Sequence, residues 1–130
     1  MGFLDFDIND AVEPTAVAGD QEYKIRIVDC RKDYDKNDKP YLLPRFEIPG
    51  EPTAKDFTRF LRLPHAGQSP KEMNNTKWTL KNFGECFDVD LSQLNDPTEL
   101  IGAEGWAILG LEESDQWGQQ NTVKKFLAGK

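Results

Sequence analysis

Tyr23-Lys-Ile-Arg-Ile-Val-Asp-Cys30 is the stretch that decides the fold, because apolar side chains alternate in it with Lys24 and Arg26. Two later stretches resemble it, Tyr41-Leu-Leu-Pro-Arg-Phe-Glu-Ile48 and Phe57-Thr-Arg-Phe-Leu-Arg-Leu63. Successive side chains of a strand point to opposite faces of a sheet. The pattern therefore predicts three strands, each with one face for a core and one face that carries positive charge and aromatic rings.

A helix is predicted after the third strand. Ser69-Pro-Lys-Glu72 combines an N-cap serine, a proline at the first helical position and a glutamate three residues after the cap, which is typical of a helix start. We expect this helix to run to about Phe87, with a break near residues 74–75. Its predicted buried face consists of Met73, Leu80, Phe83 and Phe87.

Two more strands are predicted, at Trp106–Leu111 and Asn121–Leu127, and turn-forming polar residues fill the loops at 31–39 and 112–120. Three strands, a helix and two strands form the order of an OB-fold. The predicted fold class is therefore all-β with one helix: a five-stranded OB-fold barrel with its helix between strands 3 and 4. Trp78 and Trp106 are expected in its core.

The acidic charge of the chain is unevenly distributed. The net charge is −7, yet residues 1–22 carry −6, residues 23–81 carry +5 and residues 82–123 carry −9. A chain with segregated charge can present a basic face despite an acidic total. We therefore expect an acidic N-terminal arm over residues 1–21 and, over residues 22–130, a nucleic-acid-binding domain with a basic face.

Several functional classes are not expected. No apolar run approaches the roughly 18 residues that span a bilayer, and the N-terminus lacks the pattern of a signal peptide, so a cytoplasmic protein without membrane contact is predicted. Cys30 and Cys86 are expected as reduced thiols. With His65 they match no zinc-ligand spacing, and no phosphate loop or nucleophile motif occurs. We predict a protein that is not an enzyme and has no metal or cofactor.

Two rings lie in the middle of predicted loops. Tyr34 falls in the loop between strands 1 and 2, and Trp117 in the loop between strands 4 and 5. These two loops flank the ligand groove of an OB-fold. A ring at a loop tip suits stacking on unpaired bases, and the alternative is a ring folded back on the barrel.

Basic residues follow the same pattern. Inward-facing Ile25, Ile27 and Phe46 would place Lys24, Arg26, Tyr41 and Arg45 outward, whereas in the third strand both faces carry an Arg and a Phe. Cations that bind phosphates and rings that stack on bases are the requirements of a single-strand binder. The alternative is a solvated charged face. The candidate nucleic-acid-binding residues are Lys24, Arg26, Lys32, Tyr34, Lys36, Lys39, Tyr41, Arg45, Phe57, Arg59, Arg62 and Trp117, with Phe60 as an alternative to Phe57.

Four stretches carry a family resemblance: Gly19-Asp-Gln-Glu-Tyr-Lys-Ile-Arg-Ile27, Lys39-Pro-Tyr-Leu-Leu-Pro-Arg-Phe-Glu-Ile48, Gly102-Ala-Glu-Gly-Trp-Ala-Ile108 and Asn121-Thr-Val-Lys-Lys-Phe126. In pattern and spacing the chain resembles phage and prophage single-stranded DNA-binding proteins with an OB-fold. Relatives often end in an acidic C-terminal tail. This chain ends in Lys124-Lys-Phe-Leu-Ala-Gly-Lys130 instead, so partner binding by such a tail is not implied.

The resemblance implies sequence-independent binding of single-stranded DNA in phage replication or recombination, within the host cytoplasm. The acidic arm would contact other replication or recombination proteins, or compete for the protein's own basic groove. Its alternatives are a solubilising tail and a segment packed along the barrel. The rival hypothesis for the whole chain is an acidic protein-interaction module, or a DNA mimic, that binds a basic partner. The sequence does not indicate the oligomeric state.

Overall fold

The computed structural model describes residues 2–3 and 5–129. In this part of the chain, four strands precede one α-helix and two strands follow it, and two short 3-10 helices lie between the α-helix and the fifth strand. The elements are β1 (Gln21–Tyr34), β2 (Pro40–Glu47), β3 (Phe57–Thr58), β4 (Leu61–Arg62), α1 (Pro70–Phe87), the 3-10 helices Leu91–Gln93 and Pro97–Leu100, β5 (Glu104–Ser114) and β6 (Gly118–Leu127).

The six strands form one open antiparallel sheet in the order β3-β2-β1-β5-β6, and β4 also pairs with β2. β1 is long enough to pair with two different strands along its length: residues 21–26 pair with β5 and residues 26–34 pair with β2. The register shifts between Ile27 and Asp29, and such a bulge bends a strand. The bend brings β3 close to β6, although no ladder joins these two strands in the described residues. The predicted mostly-β class with one helix is confirmed.

The prediction of a single third strand over Phe57–Leu63 was wrong. Phe57 and Leu61 are both buried, so an unbroken strand would also point the intervening Arg59 into the core. A buried unpaired guanidinium is strongly unfavourable, and the strand is interrupted at residues 59–60. As a result, the helix lies between the fourth and fifth strands of the sheet and not between the third and fourth.

The strands that flank the two predicted loops are longer than expected. β1 continues to Tyr34 because its polar residues still pair with β2, as in the opposition of Arg31 to Leu43. The loop predicted at 31–39 shrinks to residues 35–39, and the loop predicted at 112–120 shrinks to residues 115–117. Gly118 closes the second turn with a φ of 71°, a conformation that glycine adopts without strain.

The core lies between the concave side of the sheet and α1. Phe46 is fully buried at its centre, with ring centroids 5.4 Å from Phe57, 5.8 Å from Phe87 and 6.3 Å from Phe126. Phe83 packs edge-on against Phe126 at 5.3 Å. These five rings join the faces of α1, β2, β3 and β6.

The predicted start of the helix is confirmed. The Ser69 hydroxyl accepts a hydrogen bond from the Glu72 backbone N–H at 3.2 Å, and Pro70 is the first helical residue. Phe83 and Phe87 are buried, as expected. The break near residues 74–75 was wrong, because the helix is continuous to Phe87.

Two further core expectations have different outcomes. Trp78 was expected in the core but is 60% exposed, since it lies on the helix face that points away from the sheet. Trp106 is half-buried.

Cys30 and Cys86 are free and buried, and burial raises the pKa of their thiols to about 12 and about 11, respectively. Among the described residues no helix has the length and apolar character to cross a membrane.

The inner part of the acidic arm packs on the sheet. Thr15 forms a parallel bridge with Ala54 on the β3 side, and Asp20 donates its N–H to the Leu109 carbonyl at 2.7 Å. Between them, buried Asn121 accepts from the Val17 N–H at 2.9 Å and donates to the carbonyls of Val17 and Gly110, each at 3.0 Å. Residues 15–20 therefore connect the two open edges of the sheet.

Replacing Asn121 with Ala should lower the free energy of unfolding by about 1–3 kcal/mol, because buried backbone groups lose their partners. Urea denaturation measures this change. Asn37→Ala, in an exposed turn, is the matched control and should have little effect. An Asn121→Ala protein as stable as the control would show that the arm is not held by this side chain.

Candidate nucleic-acid interface

One side of β2 faces away from the core. Tyr41, Leu43 and Arg45 alternate there with buried Leu42, Pro44 and Phe46. Residues opposite each other in an antiparallel pair share a face of the sheet. The face formed in this way, the outer face, comprises Asp29, Arg31 and Asp33 of β1, Tyr41, Leu43 and Arg45 of β2, Thr58 of β3 and Arg62 of β4.

An aromatic platform stands on this outer face, made of Tyr41, Phe60 and Arg62. The rings of Tyr41 and Phe60 lie 4.9 Å apart between centroids, tilted by 33°. The Arg62 guanidinium lies 4.9 Å from the Phe60 centroid, close enough for a cation–π contact. Phe60 remains 43% exposed, so the platform presents an aromatic surface to solvent.

The turn after β1 holds the platform in place. Arg62 bonds to the Asp35 carboxylate at 3.1 Å and to the Pro40 carbonyl at 3.2 Å. The backbone N–H of Lys39 bonds to the same carboxylate and lowers the pKa of Asp35, with smaller contributions from the Asn37 N–H and from Arg62. Asp35 therefore stays ionised and positions Arg62 beside the ring.

Trp117 lies at the other end of the outer face. It is 63% exposed at the tip of the β5–β6 turn, and the Lys55 ammonium donates to its carbonyl at 2.9 Å. Lys55 precedes Asp56, whose carboxylate lies 3.7 Å from the Arg45 guanidinium. From Tyr41 to Arg45, β2 rises by about 13 Å, so the platform and Trp117 can contact successive parts of one extended ligand.

Tyr34 does not join this arrangement. It alternates with Asp33 and so lies on the opposite side of the β1–β2 hairpin from Tyr41. The Lys32 ammonium lies 5.7 Å from the centroid of its ring. Lys32 also lines an apolar cavity at the end of the sheet with Leu42 and Leu63. These two predicted site residues therefore belong to a separate surface.

Lys24 and Arg26 project outward as expected, but their charges are already compensated. Arg26 binds the Glu47 carboxylate through two nitrogens, with its Nε at 2.7 Å, and lies 3.3 Å from Glu104. Lys24 lies 3.3 Å from the same Glu104. The hydrogen bond to Glu47 raises the pKa of Arg26 above its ordinary value. Two cations thus face two carboxylates, which makes this region a weak phosphate site.

Other cations are more available. Lys36, Lys39 and Arg31 are exposed, and these three make no ion pair with any residue that the structure describes. Arg31 was not among the predicted site residues. The register shift between Ile27 and Asp29 reverses the alternation of β1, so Asp29, Arg31 and Asp33 lie on the outer face, whereas strict alternation from Ile25 and Ile27 would have pointed them towards the core.

The side chains of the third predicted strand point to different surfaces. Phe57 is only 5% exposed and pairs with Phe46, so it belongs to the core and not to the interface. Arg62 opposes Tyr41 on the outer face. Arg59 points towards α1 and β6 instead, where it lines a cleft with Thr79 and Lys125.

The geometry offers stacking and cationic groups, and no grouping that would hold a metal. Within residues 2–3 and 5–129, no three His, Cys, Asp or Glu side chains lie close enough to coordinate an ion. No protein-family model matches the chain, and no curated protein matches its sequence significantly. The interpretation of the interface therefore rests on its own chemistry.

Proposed function

We propose that this protein binds single-stranded DNA with little sequence preference, through the outer face of an OB-type barrel. Counting β3 and β4 as one interrupted strand gives five strands with the helix after the third, and this order supports the OB assignment. The observation that carries the proposal is the aromatic platform of Tyr41, Phe60 and Arg62, exposed between the β1–β2 turn and Trp117.

The chemistry of the platform favours unpaired bases. A base that stacks on a partly exposed ring removes apolar surface of that ring from water. Every base has a π-face, so this stacking tolerates any sequence. Exposed Arg31 on the same outer face, and Lys36 and Lys39 in the adjoining turn, supply positive charge for the phosphates. Stacked bases of a duplex cannot cover the rings in this way.

Fluorescence anisotropy tests the proposal with labelled oligo-dT, a mixed-sequence single strand and a duplex of equal length. We expect the two single strands to bind with similar affinity and the duplex to bind more weakly, because its bases cannot stack on the platform. Equal or tighter binding of the duplex would contradict the proposal. Binding of none of the three would contradict it as well.

The salt dependence of oligo-dT binding distinguishes the two groups of cations. Replacing Arg31 and Lys39 with Gln should flatten the plot of log affinity against log salt by about 1.4, or about 0.7 for each lost phosphate contact. Lys24→Gln with Arg26→Gln removes the same charge from an already compensated region and should change the slope less. Equal slopes for the two double variants would show that net charge, and not the unpaired cations beside the platform, controls binding.

We further propose phage DNA replication or recombination as the setting, in the host cytoplasm, on the basis of the sequence resemblance. No cofactor or chemical step is required for this role. The second candidate function, an acidic module that binds a basic protein, is favoured by the arm: Phe3 is 99% exposed among carboxylates. That candidate predicts no binding to any oligonucleotide, so the anisotropy experiment separates the two.

A further inference from the structure

A second polar surface lies along the open edge of the sheet, where α1 crosses between β4 and β6. It consists of two adjoining clefts that share Arg59 and Thr79. The first cleft also contains Phe60 and Arg62 of the platform. The second contains residues of α1 and β6. We call the two together the edge cleft; beyond the residues just named, its polar lining comprises Asn75, Thr76, Asn82, Lys124 and Lys125.

The charge of the edge cleft is opposite to that of the chain. The protein has 23 acidic and 16 basic side chains, yet no carboxylate occurs among the described residues that line the edge cleft. Lys124 is ion-paired with Asp20, whereas Arg59 and Lys125 form no ion pair within the described part of the chain. Two uncompensated cations therefore lie within one acid-free groove.

A neutral donor of the cleft suits the same ligand as its cations. Asn82 places an amide beside Arg59 and Lys125, whereas the Thr79 hydroxyl donates to the Asn75 carbonyl at 3.0 Å. Arginine, lysine and asparagine are among the side chains that bond to phosphate and sugar oxygens of nucleic acids. Besides Phe60 at its first end, Phe126 is the one ring among the described residues of the cleft, and it is partly buried and packs against Phe46 and Phe83 of the core.

The edge cleft is continuous with the aromatic platform. The Arg59 guanidinium donates to the backbone carbonyl of Phe60 at 2.7 Å, which holds this cation beside the backbone of the residue that carries the stacking ring. A base that covers Phe60 would thus place its neighbouring phosphate near Arg59. The next phosphates along the strand would then pass Thr79 and Lys125.

We propose that the edge cleft binds the sugar–phosphate backbone of single-stranded DNA as the strand leaves the aromatic platform. Arg59 and Lys125 bind phosphates there, and the Asn82 amide donates to backbone oxygens. This inference rests on the proposed function and extends it, because it adds a second contact region, the edge cleft, in which the protein contacts the DNA backbone and no bases. It follows that the contribution of the edge cleft depends on the length of the bound strand.

Anisotropy titrations with oligo-dT of about 5 and about 15 nucleotides test the inference, because these lengths lie near the lower and upper limits of OB-fold site sizes. The test variant is Arg59→Gln with Lys125→Gln. The control, Lys77→Gln with Lys81→Gln, removes the same charge from the part of α1 that lines a different groove. Thermal melting should be similar for all three proteins, since the four replaced side chains lie outside the core.

For the long strand we expect the test variant to bind about tenfold more weakly at low salt, with a salt slope smaller by about 1.4. For the short strand, which the platform alone can hold, it should match the wild type. Unchanged binding at both lengths, equal losses at both lengths, or an equal loss in the control would each overturn the inference while leaving the proposed function intact. A wild-type protein that binds neither oligonucleotide would overturn both.

Discussion

Replacing Tyr41 and Phe60 together with Ala should weaken oligo-dT binding at least about 30-fold, or about 2 kcal/mol, since stacking contributes about 1–3 kcal/mol per base. The two rings lie 4.9 Å apart and act as one surface, so removing both avoids compensation by the remaining ring. Anisotropy with a single labelled oligo-dT measures the change. The melting temperature should fall only modestly because neither ring belongs to the buried core.

Trp78→Ala is the control for this double variant. Trp78 is an exposed ring on the far face of α1, so its removal deletes aromatic surface without touching the outer face. We expect the control to bind as tightly as the wild type. If Trp78→Ala reduced affinity as much as the double replacement did, or if the double variant bound normally, the platform would not be the stacking site.

Phe46→Ala should have the largest effect on stability, lowering the free energy of unfolding by about 3–5 kcal/mol. Phe46 is fully buried and joins β2 to Phe87 of α1 and Phe126 of β6, so its removal leaves a cavity that three elements would have to fill. A domain of this kind is stable by only about 5–15 kcal/mol. Urea denaturation followed by circular dichroism measures the loss.

Phe60→Ala serves as the comparison for Phe46→Ala, because it removes the same side chain from the surface. We expect it to change stability by less than about 1 kcal/mol, in line with its partial exposure. The two variants should therefore separate the residues by role, with Phe46 required for folding and Phe60 for binding. A Phe60→Ala protein as unstable as Phe46→Ala would place the ring in the core.

The elements that local chemistry determines could be predicted from the sequence. Alternation of Ile25 and Ile27 with Lys24 and Arg26 indicated β1, and the Ser69 cap indicated where α1 begins. Both signals depend on residues that are close together in the chain. The mostly-β class and the inward side of β1 and β2 followed from them.

Features that depend on distant residues could not be predicted. The partners of Arg26 are Glu47 on β2 and Glu104 on β5, and only the folded sheet brings these carboxylates beside it. Asn121 gave no local sign that it holds the arm, since its partner Val17 is 104 residues away in the chain. The interruption of the third strand was visible only as an ambiguous pattern of Arg and Phe.

The sequence predicted which types of residue form the candidate site better than it predicted where each residue lies. Tyr41, Arg45, Arg62 and Trp117 lie along the outer face, as a basic aromatic groove requires. The choice between Phe57 and Phe60 depended on which side of the interrupted strand each ring would take. Two-residue periodicity cannot decide this once the backbone leaves the strand geometry at residues 59–60.

The most direct test of the central claim is an NMR titration of the ¹⁵N-labelled protein with oligo-dT. The three tryptophan indole N–H groups report on three separate places: Trp117 at the end of the outer face, half-buried Trp106 and Trp78 on the far side of α1. We predict shifts for the Trp117 indole and for the backbone amides of Tyr41 and Phe60, with the Trp78 indole unchanged. Shifts centred on Trp78, or none at saturating oligo-dT, would contradict binding at the outer face.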